Sequence, residues 1–122
     1  MKLDKKVAIV TGAGSPTGLG RAMTLALVRA GARVAMLDVN KQWLEETASD
    51  VREIGGDHSV LTLVCDVADH DSAERAVRET IAGLGGLHIL INNAGIVNPS
   101  GHGGDHKPNF WDVTPKTWSE IM

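Results

Sequence analysis

The amino-acid sequence predicts an α/β fold whose strands pair in parallel, and two observations support this prediction. Short apolar runs alternate with longer windows in which apolar residues recur at helical spacing, up to about residue 91. The first run, at residues 7–10, is apolar at every position, as expected of a strand that is buried on both faces. Strands that are joined by helical crossovers pair in parallel, so we expect helices on both faces of one sheet.

Four strands and the first helix follow from local patterns. The strands are predicted at residues 7–10, 33–37, 60–64 and 87–91. A glycine-rich turn at residues 11–20 follows the first strand and leads into a helix. The predicted apolar face of this helix consists of Leu19, Met23, Ala26, Leu27 and Ala30.

Two more helices have capping residues and glycine stops. Asn40 is the predicted N-cap of the second helix, whose apolar face consists of Leu44, Ala48 and Val51. Asp71 and Glu74 form a predicted capping box at the start of the third helix. The apolar face of this third helix consists of Ala73, Ala76, Val77, Thr80, Ile81 and Leu84. Gly31 and the glycine pairs at 55–56 and 85–86 are expected to end the three helices.

This order of elements predicts a Rossmann-like, doubly wound parallel sheet that is incomplete, with about four parallel strands and crossover helices. We expect residues 1–122 to form a single dinucleotide-binding domain that is truncated at its C-terminus. Residues 96–113 are rich in Gly, Pro, Asn and His and are interpreted as a loop insertion. A further helix is expected to begin at Thr114-Pro115.

Composition and charge exclude several classes of protein. The single cysteine, Cys65, rules out an intramolecular disulfide. A net charge of −3 without a basic block argues against nucleic-acid binding. The apolar runs are too short for a signal-peptide core or a membrane span, so we expect a cytoplasmic chain without membrane contact. His102, Asp105 and His106 are better explained by a solvated loop than by a metal site, and we expect no metal.

The glycine-rich turn and an acid after the second strand indicate a nucleotide site. Glycines let a backbone approach a ligand closely, and the N-terminus of the following helix offers free N–H groups to a pyrophosphate. Asp38 ends the second predicted strand, where a carboxylate can accept hydrogen bonds from both ribose hydroxyls and repel a 2′-phosphate. A tight turn without a ligand and an exposed strand-end acid would explain the same residues separately, but their combined spacing favours NAD binding.

Three motifs together resemble the short-chain dehydrogenase/reductase family, including its oxoacyl-carrier-protein-reductase-like members. They are Thr11-Gly12 with Gly18 and Gly20, then Asp66-Val67 after the third strand, then Asn92-Asn93-Ala94-Gly95 after the fourth. The resemblance extends from Lys6 to Met122. It implies an oxidoreductase that transfers hydride between a nicotinamide cofactor and a carbonyl or secondary alcohol.

The resemblance also implies a set of cofactor-binding residues. The pyrophosphate would lie against the turn residues Gly12, Gly14, Ser15, Thr17, Gly18, Leu19 and Gly20. Asp38 would hold the adenosine ribose, and Asp66 and Val67 would flank the adenine. The remaining contacts would come from Asn92, Asn93, Ala94 and Gly95. Two extra residues separate Gly12 from Gly18 relative to the family's usual turn, so the partners of Gly14, Ser15 and Thr17 stay open. NAD is the expected cofactor, and NADP is less favoured because of Asp38.

The chain departs from the family in its chemistry. The family's catalytic set is an Asn, a Ser and a Tyr-x-x-x-Lys motif, whereas this sequence contains no tyrosine and ends just before the expected Asn. We therefore expect no catalytic residue here and no activity of the isolated chain. The chain would supply the cofactor-binding half and need a C-terminal half or an oligomeric partner. The alternatives are a non-catalytic NAD-binding module and a partner-dependent subunit.

Overall fold

A computed structural model of the chain describes residues 3–15 and 18–93. The strands are β1 (Val7–Thr11), β2 (Arg33–Asp38), β3 (Val60–Val64) and β4 (Ile89–Ile91). The helices are α1 (Leu19–Arg29), α2 (Lys41–Gly55) and α3 (His70–Leu84). All strand pairs are parallel, and the sheet has the order β3-β2-β1-β4. The predicted α/β class and Rossmann-like parallel sheet are confirmed, while the loop at 96–113 and the helix at Thr114 lie outside the described residues.

Strand β1 lies in the interior of the sheet, and all five of its residues are buried. Val7 and Ile9 belong to one apolar core together with the buried face of α3. Ala8 and Val10 belong to a second core with residues of α1 and α2. Because successive side chains of a strand point to opposite faces, a continuously apolar strand builds both cores at once.

Helix α1 buries a different face from the predicted one. Its buried residues are Gly20, Thr24, Leu25 and Val28, whereas Leu19 is 56% exposed. The predicted face is wrong, because Leu25 and Val28 are buried while Ala26 is exposed and Leu27 is only half-buried. A Cβ at Gly20 would lie 2.5 Å from the carbonyl oxygen of Gly12, so α1 packs on the turn through a position without a side chain. This close approach fixes the rotation of α1.

Helix α2 follows the prediction, and α3 follows it except at its start. The side chain of Asn40 accepts a hydrogen bond from the N–H of Trp43 at 3.0 Å, which confirms the predicted cap. The predicted apolar faces of both helices are buried, apart from the half-buried Ile81. Helix α3 begins at His70, because the carboxylate of Asp69 accepts from the N–H of Asp71 at 3.0 Å.

The predicted capping box of α3 is therefore wrong. Its acid Glu74 instead contacts Nε2 of His70 at 3.0 Å, one helical turn away. The tight turn that joins β3 to α3 decides between the two aspartates, since the N–H of Asp69 donates to the carbonyl of Asp66 at 3.0 Å. Asp69, the last residue of this turn, is therefore the N-cap of α3.

Strand β4 is shorter than predicted: it begins at Ile89, and residues 87 and 88 are not part of the strand. The N–H of Val7 donates to Nδ1 of His88 at 3.0 Å, and the N–H of His88 donates to the carbonyl of Val7 at 2.8 Å. An imidazole nitrogen thus replaces a main-chain carbonyl as the acceptor. Among the helices of residues 3–15 and 18–93, none combines the length and apolar character needed to cross a membrane.

The contact between α1 and the turn predicts a costly substitution. Gly20→Ala should lower the free energy of unfolding by about 1–3 kcal/mol, because the new methyl group meets backbone atoms that cannot move aside. The matched control is Gly83→Ala in α3, where the new methyl group would meet Cδ2 of Leu61 at 3.1 Å, a side-chain end that can rotate. We expect that control to change the free energy by less than about 1 kcal/mol. Urea denaturation measures both, and equal losses would contradict this packing.

Candidate functional site

The carboxyl ends of all four strands lie at one edge of the sheet. There β1 leads into Gly12, β2 ends at Asp38, β3 leads into Cys65, and β4 leads into Asn92. The strand order reverses between β1 and β4, since the chain moves outward to β3 before it returns to the other side of β1. Ligands of open α/β sheets bind at the crevice outside such a reversal.

The glycine turn continues along β2 after β1 has ended. The N–H of Ala13 donates to the carbonyl of Leu37 at 3.0 Å, so the turn stays beside the end of β2. Gly12 has a positive φ of 62°, a backbone conformation that favours glycine. Gly14 is buried, and a Cβ built on it would lie 3.0 Å from Oδ2 of Asp38 and 3.1 Å from the N atom of Leu44. A side chain at Gly14 would therefore require Asp38 and the start of α2 to shift by a few tenths of an ångström.

The carboxylate of Asp38 is held by backbone donors on both oxygens. Oδ2 accepts from the N–H of Gly14 at 2.9 Å, and Oδ1 accepts from the N–H of Asn40 at 3.2 Å. The side chain is half-buried and belongs to the last residue of β2. Each carboxylate oxygen has two lone pairs, so these bonds leave acceptor capacity for a ligand's hydroxyl groups.

The N-terminus of α1 differs from those of the other two helices. Asn40 caps α2 and Asp69 caps α3, whereas no side chain of the described residues caps α1. The N-cap of α1 is Gly18, whose own N–H donates to the carbonyl of Ser15 at 3.2 Å, and the first turn carries no acid. Uncapped N–H groups at a helix N-terminus are donors for an anion such as a phosphate.

The end of β4 is tied to the glycine turn by two side chains. Asn93 is buried, and its Nδ2 donates to the carbonyl of Gly12 at 3.2 Å. The hydroxyl of Thr11 is within hydrogen-bond distance of two acceptors. They are Oδ1 of Asn92 at 3.3 Å and the carbonyl oxygen of Ile91 at 3.4 Å. These bonds hold the last residues of β1 and β4 together, directly beside the crevice.

A small cleft lies where β1, β2 and β3 end. It has a volume of about 100 Å³ and is lined by Gly12, Leu37, Asp38, Val39, Cys65, Asp66 and Val67. The carboxylate of Asp66 accepts from the N–H of Ala68 at 3.0 Å, which orders the start of the following loop. A larger hollow of about 450 Å³ contacts none of the predicted site residues and is lined by Arg33, Asp57, His58, Val60, Leu61, Gly83 and Leu84.

Most of the residues that the sequence singled out lie at this edge of the sheet. The described ones are Gly12, Gly14, Ser15, Gly18, Leu19, Gly20, Asp38, Asp66, Val67, Asn92 and Asn93. Three more, Thr17, Ala94 and Gly95, lie outside the described residues, as do His102, Asp105 and His106.

Sequence reasoning missed Thr47, whose hydroxyl donates to the carbonyl of Gly14 at 2.8 Å. The available signal was a threonine on the apolar face of the second helix.

Residues 6–122 match the short chain dehydrogenase family, and the chain belongs to that family. An uncharacterized short-chain type dehydrogenase/reductase of Sinorhizobium fredii is 42% identical over 123 residues, which cover 100% of this chain and 45% of the relative. A sorbitol dehydrogenase of Cereibacter sphaeroides is 43% identical over 96 residues, covering 79% of this chain and 35% of the relative. The resemblance that the sequence motifs indicate is thereby confirmed.

The fold also matches solved structures of the family. An NAD⁺-bound xylitol dehydrogenase superposes with a TM-score of 0.66 at 32% identity, covering 74% of this chain and 33% of that structure. The chain thus spans less than half the length of the relatives that it matches. The family is one of oxidoreductases that use nicotinamide dinucleotide cofactors.

The environment of Cys65 predicts a slowly reacting thiol. Burial raises the pKa of Cys65, and the negative charges of Asp66 and Asp69 raise it further, while a hydrogen bond from Ser72 opposes the rise. A raised pKa leaves less thiolate, the reactive form, at neutral pH. Modification by a disulfide reagent should therefore be slow at pH 7 in the native chain and accelerate as the pH increases.

The Ser72 hydroxyl supplies a control for this reaction. Ser72→Ala removes the bond from its Oγ to Sγ at 3.5 Å, so the rate at a given pH should fall further. Absorbance of the released thiolate measures the rates, with the guanidinium-unfolded chain as the reference for a free thiol. A native rate equal to the unfolded one at pH 7 would contradict the assigned burial.

Proposed function

We propose that the chain binds NAD(H) and supplies the cofactor-binding half of a short-chain dehydrogenase/reductase. The complete enzyme would transfer hydride between the nicotinamide and a carbonyl or secondary alcohol. The observation that carries the proposal is the carboxylate of Asp38, fixed at the end of β2 beside the glycine turn and the uncapped α1. The family assignment supports the class of cofactor.

The glycine turn fits a pyrophosphate in both space and charge. Gly12 and Gly20 touch with no room for a side chain between them, so the turn presents backbone to the crevice. The first turn of α1, which no side chain of the described residues caps, adds N–H donors and the positive end of the helix dipole. We assign the pyrophosphate to this turn, with Gly12, Gly14, Ser15, Thr17, Gly18, Leu19 and Gly20 as the surrounding residues.

The carboxylate of Asp38 favours NAD over NADP. Its free lone pairs can accept hydrogen bonds from both hydroxyls of the adenosine ribose. A 2′-phosphate at the same place would bring negative charge next to a carboxylate, and the backbone donors on its two oxygens hold that carboxylate in position. The solved relative with bound NAD⁺ supports this choice of cofactor.

The remaining residues are assigned to the adenine and to the part of the cofactor that lies beside β4. The cleft beside Asp38 is lined by both apolar and acidic residues, and we assign the adenine to it, with Asp66 and Val67 on its flanks. Asn92 and Asn93 hold the turn against β4, and we assign Ala94 and Gly95 to the same side of the cofactor. The bound nicotinamide would supply the hydride chemistry.

Removal of the Asp38 carboxylate tests the ribose assignment. Asp38→Ala should weaken NAD⁺ binding about tenfold or more, because two hydrogen bonds to a charged acceptor are lost. The affinity for NADP⁺ should stay the same or rise, because the repulsion disappears. Calorimetric titration of the 122-residue chain with each nucleotide gives both dissociation constants, after circular dichroism has shown that the variant is folded.

Glu79→Ala is the matched control for that experiment. Glu79 is an exposed acid on α3, so its removal changes the net charge by the same amount away from the site. It should leave the ratio of the two dissociation constants unchanged. An Asp38→Ala variant with the same ratio as the wild type would refute the ribose assignment.

The sequence also predicts what the isolated chain cannot do. It contains no tyrosine, the residue that donates or accepts the substrate proton in the family that it resembles. The 122-residue chain should bind NADH yet oxidise none of it when a carbonyl substrate is added. Nicotinamide fluorescence follows binding, and absorbance at the nicotinamide band follows turnover.

The same assay separates the alternatives. Tight, saturable NADH binding by a monomer without turnover would also suit a non-catalytic NAD-binding module. Binding that appears only after a C-terminal half is supplied in trans would favour the cofactor-binding half of an enzyme. Turnover by the purified chain alone would contradict both.

A further inference from the structure

Thr47 is a buried threonine whose hydroxyl is used differently from those of its counterparts. Each helix of the described region buries one threonine: Thr24 in α1, Thr47 in α2 and Thr80 in α3. Thr24 and Thr80 donate to the carbonyl four residues earlier in their own helices, at 2.8 and 2.7 Å. This is the usual bond of a helical threonine. The hydroxyl of Thr47 instead leaves its helix and donates to the carbonyl of Gly14 at 2.8 Å.

Gly14 is thereby held on both sides of its Cα atom. Its carbonyl accepts from Thr47, and its N–H donates to Oδ2 of Asp38 at 2.9 Å. The contact with Thr47 excludes water, since Thr47 is 1% exposed and Gly14 is buried. The packing around Gly14 is tight, because a methyl group there would lie close to 3 Å from Asp38 and from the backbone of α2.

We propose that Thr47 is a positioning residue that orients the carboxylate of Asp38 through Gly14, and so sets the preference for NAD over NADP. This inference rests on the proposed function, because it concerns the same ribose site. The hydroxyl of Thr47 donates to Gly14 and not to the carboxylate, and in this assignment it does not contact the nucleotide. Its effect is transmitted through Gly14, whose carbonyl binds Thr47 and whose N–H binds Asp38.

The contacts of Asp38 explain why this anchor matters. The second donor to its carboxylate is the N–H of Asn40, only two residues further along the chain. This bond joins two residues of the same short segment after β2, so it does not fix the side chain relative to the glycine turn. The bond from Gly14 does so, provided that Gly14 itself is fixed. Without the Thr47 hydroxyl, the carboxylate gains freedom to turn away from a bound 2′-phosphate, and its repulsion weakens.

Replacing the hydroxyl tests the role of Thr47. Thr47→Val keeps the shape of the side chain and removes the donor, and Thr47→Ser restores the donor. The matched control is Thr80→Val, which removes an equally buried hydroxyl bond in α3, away from the site. Two readouts are needed on the 122-residue chain. One is hydrogen exchange of the Gly14 amide by NMR without nucleotide, and the other is the ratio of the dissociation constants for NADP⁺ and NAD⁺.

Thr47→Val should raise the exchange rate of the Gly14 amide about fivefold and lower the NADP⁺/NAD⁺ ratio by a similar factor, the size expected for one hydrogen bond. Thr47→Ser should restore both values. Thr80→Val should change neither, even if it lowers stability as much. Thr47→Cys, which has a side chain of similar size and a weak donor, provides the same readouts in case the valine variant does not fold.

The outcomes distinguish the inference from the proposed function. An unchanged Gly14 exchange rate in the folded Thr47 variants would overturn the anchor, with or without nucleotide binding. A faster exchange with an unchanged NADP⁺/NAD⁺ ratio would overturn the role of Thr47 in specificity. Failure of the wild-type chain to bind either nucleotide, both alone and with a C-terminal half supplied in trans, would overturn the proposed function, while the exchange experiment would still decide whether Thr47 holds Gly14 and Asp38 in place.

Discussion

The parallel pairing of β1 with a strand on each side is the constraint on which the rest of the described structure depends. Thr11 at the end of β1 is in register with Leu37 of β2, and Val10 is in register with Ile91 of β4. Parallel strands in this register bring their carboxyl ends to one edge. Residues that are far apart in the chain, such as Gly12, Asp38 and Asn93, therefore meet at that edge. The site is a consequence of strand direction.

The close approach of α1 to the turn adds the second condition. Gly20 packs on the carbonyl of Gly12 and on the side chain of Asn93, where a Cβ would be 2.5 and 3.0 Å from their atoms. This contact limits the rotation of α1, whose N-terminus follows the glycine turn and has no side-chain cap from the described residues. The absence of a side chain at Gly20 is required for this packing. The proposed cofactor would approach the same glycine turn.

The sequence predicted the elements well where a local signal specified them. Apolar runs located β1 and β3, Asn40 located the start of α2, and glycines located the helix ends. It failed where two local signals competed or where none existed. Asp69 and Asp71 are both acceptable N-caps, and the turn after β3 selected Asp69. The buried face of α1 was wrong because a glycine contact has no hydrophobic signature, and β4 began late because a histidine nitrogen replaced a carbonyl in the ladder.

By itself the sequence determined the order of elements, the parallel α/β class, the family, and the candidate roles of the glycine turn and Asp38. These depend on residue types at short spacing, which a linear pattern records. Only the tertiary structure revealed that Thr47 holds Gly14, that Gly14 holds Asp38, and that Asn93 holds Gly12. These contacts join residues 33, 24 and 81 positions apart. They arise from the close packing of elements against one another, and nothing local in the sequence specifies which atoms that packing brings within hydrogen-bond distance.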